Sequence, residues 1–81
     1  MKIRVSFLGS VKSYINEDSF FIEFDQTSTV NDVIQKVIEY KPEIQRSIKY
    51  LSISLNNTLV SRTHLVSDND EIVFFSRPGG G

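Results

Sequence analysis

The sequence predicts an α+β fold of two layers, a mixed sheet of four to five strands with one main helix packed on one of its faces. Three observations carry this. Short stretches in which apolar residues alternate with polar ones occupy both ends of the chain, which is the period of half-buried strands. One segment between them repeats its apolar residues at helical spacing, the mark of a helix with one face in a core. Finally, 81 residues of which 40% are apolar serve one core and not two, because so short a chain buries only a little over half of the surface its unfolded form exposes.

The elements follow in order. From Lys2 to Leu8, Ile3, Val5 and Phe7 point one way and Lys2, Arg4 and Ser6 the other, while Leu8 falls out of place on the polar side. Beyond Gly9 and Ser10, the run Phe20-Phe21-Ile22-Glu23-Phe24 is aromatic and branched. It is bounded by Asn16-Glu17-Asp18 and Asp25-Gln26, which predicts a second strand joined to the first as a hairpin with a loose loop. The helix signal is the strongest in the chain. Thr29 stands as N-cap with Asp32 three residues on, at the positive end of the helix,. Val30, Val33, Ile34, Val37 and Ile38 then form one apolar stripe, and Asn31, Gln35, Lys36 and Glu39 face water,. Pro42 lacks a backbone donor and disfavours helical geometry at Lys41, so the helix stops near there. Ile44 and Ile48 suggest one more irregular or helical turn.

Strand spacing returns in Leu51-Ser52-Ile53-Ser54-Leu55. The pair Asn56-Asn57, which tolerates positive φ, turns the chain into Thr58-Leu59-Val60,. A loop from Arg62 to Ser67 leads to the turn Asp68-Asn69-Asp70 and a last strand, Glu71 to Phe75. The order β-β-α-β-β-β is that of the ubiquitin-like, or β-grasp, fold. Periodicity supplies these elements and leaves their spatial order open. Residues 1–76 are expected to form the domain and residues 77–81 a flexible C-terminal glycine tail.

Composition narrows the chemistry. A net charge of -1 from nine basic and ten acidic residues gives no field for gripping nucleic acid or an anionic membrane, and neither partner is expected. The absence of cysteine removes disulfides, thiolate metal sites and thiol nucleophiles together. The N-terminus lacks the greasy run of a secretory signal, and no stretch approaches the ~20 apolar residues of a membrane span, so the expected location is cytoplasmic. His64, the only histidine, lies in a loop without a serine–acid pair to work with and reads as a solvated or hydrogen-bonded residue. The trio Asp68, Asp70 and Glu71 lacks the length and the later glutamate of a calcium loop and reads as a turn before a strand. No self-contained active site can be assembled, and no cofactor or metal is expected on this chain.

The last residues, Pro78-Gly79-Gly80-Gly81, raise a different chemistry. Glycine loses more backbone freedom on ordering than any other residue, so a terminal run of it adds little to stability. A carboxylate is a poor electrophile until it is activated, and adenylation by ATP would convert the Gly81 carboxylate into a mixed anhydride. Glycine also allows the closest backbone approach to a narrow channel. The five residues after Ser76 reach at most roughly 17 Å at ~3.3 Å per residue, enough to thread into a partner while the domain docks outside.

The stretch LNNTLVSRTHLVSDNDEIVFFSRPGGG, Leu55 to Gly81, resembles the C-terminal third of the MoaD/ThiS sulfur carriers. In the molybdopterin synthase small subunit that region reads approximately V-N-x-x-L-V, then D-G-D-E-V, then F-F and a terminal G-G. Asn56, Leu59, Val60, Asp70, Glu71, Phe74, Phe75, Gly80 and Gly81 fall on those places. The opening Ile3 to Lys12, IRVSFLGSVK, is similar to the family's first strand and the basic residue after it, whereas the middle agrees only in element order. The Phe74-Phe75 pair and the chain length favour the molybdopterin branch over the shorter thiazole-forming carriers.

The resemblance implies a cycle. An adenylating enzyme (MoeB-like) uses ATP to activate the terminal carboxylate, and a sulfur donor then replaces AMP to leave a thiocarboxylate. The tail enters the molybdopterin synthase large subunit (MoaE-like), where sulfur passes to a pyranopterin precursor. In this scheme Gly81, with Gly80 before it, is the reacting end of a small, non-catalytic subunit that binds no cofactor itself. The family's partner-facing patch matches Leu8, Leu59 and Phe75. Those three are also apolar where alternation or a nearby turn leaves a residue partly exposed, although each also fits the edge of a small core. Lys12, Arg77 and Gly79 complete the partner-binding set, the two charges being equally readable as ordinary solvated groups. The chain departs from the family where Ser76-Arg77 replaces a common proline pair, which loosens or recharges the exit from the last strand. Three rival readings remain: a ThiS-like sulfur carrier for thiamine thiazole synthesis, a ubiquitin-like modifier joined to target lysines through Gly81, and an interaction module whose tail does nothing.

Overall fold

The computed structural model describes residues 1–16 and 18–76, apart from the side chain of Tyr14. Strand β1 (Lys2–Leu8) alternates as its sequence does, burying Ile3, Val5 and Phe7 and exposing Leu8. The connection to β2 (Ser19–Glu23) is no loose loop, because helix α1 (Val11–Ile15) occupies it. Val11 and Ile15, one helical turn apart, are both fully buried. Asn16 ends the turn at φ 61, its N–H donating to the Lys12 carbonyl at 3.2 Å. Asparagine adopts this left-handed geometry more readily than most residues. Two apolar residues are too few to show a period, which is why the segment reads as a loop in the sequence.

Helix α2 (Val30–Tyr40) forms as expected. The Thr29 hydroxyl accepts from the Asp32 N–H at 3.3 Å, and the Thr29 N–H donates to the Asp32 carboxylate at 2.8 Å, a reciprocal box that satisfies donors left over at a helix start. Val30, Val33, Ile34 and Val37 are buried and Ile38 packs partly against them. The helix ends before Lys41, whose backbone angles (φ -131, ψ 79) are no longer helical, and Pro42 opens a 3₁₀ turn, Pro42–Arg46, that buries Ile44. A second 3₁₀ turn, Ile48–Tyr50, leads into β4 (Leu51–Leu55).

Asn56 and Asn57, at φ 50 and 70, make the two-residue turn into β5 (Thr58–Leu59). Two positive φ angles in succession match the turn that suits the twist of a hairpin. The loop after it contains a strand that periodicity does not reveal: β6 (Leu65–Val66) pairs with β3 (Ser28–Thr29) as a separate two-stranded sheet. This pairing has a local purpose. The N–H groups of Val30 and Asn31, orphan donors at the start of α2, reach the carbonyls of His64 and Arg62 at 2.9 and 2.8 Å.

The main sheet has the order β2-β1-β7-β4-β5, where β7 is Glu71–Ser76. β1 and β7 run parallel at its centre and the other pairs are antiparallel, so the predicted mixed sheet has five strands. Its inner face, including Ile3, Val5, Phe7, Ile53, Ile72 and Phe74, forms one buried cluster with the stripe of α2. Phe7 and Phe74 stack at 5.7 Å between ring centres, a favourable offset range for aromatic pairs. Helix on one face and five-stranded mixed sheet together are the β-grasp arrangement. Among the described residues no helix is long and apolar enough to cross a membrane.

The acidic turn is structural. Asp68 accepts from the Lys2 N–H at 2.7 Å and Asp70 from the Ser67 N–H at 2.7 Å. Asn56 ties this turn to its own by donating to Asp70 and accepting from the Glu71 N–H, both at 2.9 Å. Among the described residues no group of His, Asp or Glu is arranged to hold a metal ion.

Candidate functional site

The face of the sheet turned away from α2 carries the candidate site. Side chains opposite one another in a ladder share a face, so the register shows what lies on it. Leu8 of β1 stands opposite Phe75 of β7, and Val73 stands opposite Ser54 of β4, which in turn faces Leu59 of β5. Leu8, Val73, Phe75 and Leu59, with Ser54 and Asn57, line one shallow depression. Leu8 is 56% and Leu59 69% exposed, while Val73 and Phe75 are half-buried. The small Ser54 between Val73 and Leu59 leaves the depression between the larger side chains.

The structure therefore brings together Leu8, Leu59 and Phe75, residues from both ends of the chain. It adds Val73, which alternation within β7 places beside Phe75 and which the same logic applied to Leu8 would have found. The other end of this face is polar. The Arg4 guanidinium lies 3.7 Å from the Glu71 carboxylate, and the Lys2 ammonium sits 4.5 Å from the centre of the exposed Phe21 ring. Apolar and charged halves of one sheet face are thus separated along the strands.

The apolar half lies at the C-terminal end of β7, next in sequence to residues 77–81. Phe75 is in the depression and Ser76, the next residue, ends the strand. Ser76 does not leave freely. Its Oγ accepts hydrogen bonds from the Ser10 N–H and the Ser10 hydroxyl, both at 3.1 Å. Gly9, at φ 80, makes the turn that delivers Ser10, and a Cβ there would lie 2.5 Å from Ser76 Oγ. Position 9 favours glycine for its backbone angle, and a side chain there would displace the Ser76 hydroxyl from its place,. The expected loosening at Ser76-Arg77 therefore does not extend to Ser76. No local signal marks Ser10 in the sequence, because its partner is a residue at the far end of the chain.

Lys12 does not line the depression. It lies in α1, where its ammonium pairs with Asp18 at 3.1 Å, both groups being well exposed. Such a pair contributes about 1 kcal/mol at most. Arg77, Gly79, Gly80 and Gly81, with the tail of residues 77–81 as a whole, lie outside the described residues. His64 is exposed and serves the fold through its backbone.

No curated protein sequence matches the chain, but solved structures do. It is similar to SAMP1 from Haloferax volcanii, with a TM-score of 0.90 at 12% identity over 100% of each chain. It is similar also to a putative molybdopterin converting factor subunit 1 from Pyrococcus furiosus, with a TM-score of 0.83 at 18% identity, covering 93% of this chain and 95% of the other. A third likeness is to a complex of subunits 1 and 2 of molybdopterin-converting factor from Helicobacter pylori, with a TM-score of 0.73 at 23% identity over 100% of each chain. These likenesses establish the fold. The profile of the ThiS family matches residues 5–81, so the chain belongs to the ThiS family of ubiquitin-like sulfur carriers.

Proposed function

We propose that this protein is a sulfur carrier of molybdenum cofactor biosynthesis, the small and non-catalytic subunit of a molybdopterin synthase, acting in the cytoplasm. One observation supports this above the others: the exposed apolar patch of Leu8, Val73, Phe75 and Leu59 adjoins Ser76, the root of the tail. A partner that covers the patch receives the tail at a set distance from its docking surface. The solved Helicobacter pylori complex of the two converting-factor subunits supports a large-subunit partner for a chain of this fold.

The chemistry belongs to Gly81. Its carboxylate attacks the α-phosphate of ATP in an adenylating enzyme and expels pyrophosphate. Sulfide, supplied as HS⁻ or its equivalent, then adds to the acyl carbon and expels AMP, leaving a thiocarboxylate. Within the large subunit that sulfur passes to the pterin precursor. Gly80 and Gly79 give the reacting end a narrow cross-section, and Arg77 is proposed to meet acidic groups of the partner.

Incubation with the cognate adenylating enzyme, ATP and a sulfur source is expected to raise the intact mass by about 16 Da, oxygen replaced by sulfur. A Gly81 carboxamide should gain nothing while melting at the same temperature as the free acid. An unchanged mass for the free acid with every cognate enzyme would count decisively against the reading. The high similarity to SAMP1, a small archaeal modifier protein, favours a second reading, in which Gly81 forms isopeptide bonds with lysines. Lysate proteins carrying Gly81-derived remnants in mass spectra would select it.

A further inference from the structure

Strand ends commonly fray, yet Ser76 is held on both flanks. On one side it pairs with Leu51 of β4. On the other its Oγ takes two hydrogen bonds from Ser10, across a turn where Gly9 leaves room for that oxygen and for no side chain of its own. The residues joined are the immediate neighbours of the patch: Leu8 precedes Gly9 and Ser10, and Phe75 precedes Ser76. The contact thus ties the end of β7 to the end of β1 immediately before residue 77.

We propose that the Ser76 hydroxyl is a positioning group, which fixes the point and direction of tail departure relative to the docking patch so that the terminal carbonyl arrives aligned in the partner's active site. The inference rests on the sulfur-carrier reading. A tail root ordered before docking spares the encounter the entropy of ordering it later. Neither hydroxyl lies in the depression, so docking strength stays with the apolar side chains. The hydroxyl acts afterwards, on the alignment of the reacting end. Its loss should therefore show in turnover and not in association.

The test compares wild type, Ser76→Ala and Ser76→Thr as substrates of the cognate adenylating enzyme and large subunit, with amide hydrogen exchange at Ser10 measured in parallel. Ser76→Ala should lower kcat roughly tenfold, the combined effect of losing two exposed, and therefore weak, hydrogen bonds,, with KM within about twofold of wild type. Ser76→Thr, which keeps the hydroxyl, should restore kcat to within about threefold. The Ser10 amide should exchange faster in Ser76→Ala and not in Ser76→Thr. A Ser76→Ala protein that turns over like wild type, a loss carried by KM alone, or a Ser10 amide indifferent to the substitution would each overturn the proposal. So would a kcat that Ser76→Thr leaves at the alanine level. Wild-type protein that is never loaded with sulfur overturns the carrier reading and this role with it, whereas loaded wild type beside an unaffected Ser76→Ala overturns this proposal alone.

Discussion

Leu59→Ala is the sharpest probe of the docking face, because its two effects separate. A leucine side chain taken fully from water is worth about 1.5–3 kcal/mol. Leu59 is 69% exposed, so about two-thirds of that value is still to be gained when a partner covers it, about 1–2 kcal/mol. The rest, about 0.5–1 kcal/mol, is what the substitution removes from the fold itself. Leu59→Ala should therefore weaken binding to the large subunit by about 5- to 30-fold, each 1.4 kcal/mol being tenfold in Kd. Its melting temperature should fall by about 2–8 °C. Isothermal titration calorimetry with the large subunit reads the first effect and thermal unfolding the second. The loss should persist in high salt, since screening acts on exposed charges and not on apolar burial. A folded Leu59→Ala protein that binds within twofold of wild type would refute the assignment of this face, and with it the reasoning from Leu8 and Phe75.

Two further substitutions test the scaffold. Ile15→Ala removes a fully buried side chain of α1 and should cost about 2–5 kcal/mol, a large share of the roughly 4–12 kcal/mol expected for a chain of this length. Chemical denaturation should show it, and a loss below 1 kcal/mol would mean that α1 is no part of the core. Thr29→Ala opens the capping box at the start of α2 and should cost about 1 kcal/mol, or about 4–8 °C in melting temperature. Sulfur loading at Gly81 should be unaffected at temperatures where the variant is folded, and a loading defect there would tie α2 to the partner's surface.

Much of this molecule was legible in its residues because the signals were local. Alternation in Lys2–Leu8 and in Leu51–Leu55 forecast the buried and exposed sides of β1 and β4. Thr29 with Asp32 and the valine and isoleucine stripe forecast α2, and the Asn56-Asn57 pair forecast its hairpin. In each case the cause acts within a few residues: a cap, a period, a pair of positive φ angles. Leu8 and Leu59 were recognisable as displaced apolar residues for the same reason.

What sequence alone determined, then, was the kind of each element and which side chains would want cover. Tertiary structure decided which of them became neighbours. Pairing β1 parallel to β7 sets Leu8 beside Phe75 and Ser10 beside Ser76, and no spacing along the chain encodes that pairing. The helix α1 and the pair β3–β6 also escaped the sequence, being held by contacts made elsewhere: α1 by the core over Val11 and Ile15, β6 by the strand and helix start it supports. Elements of two to five residues have too few bonds of their own to persist without such contacts, so their reason to exist lies in the packed fold.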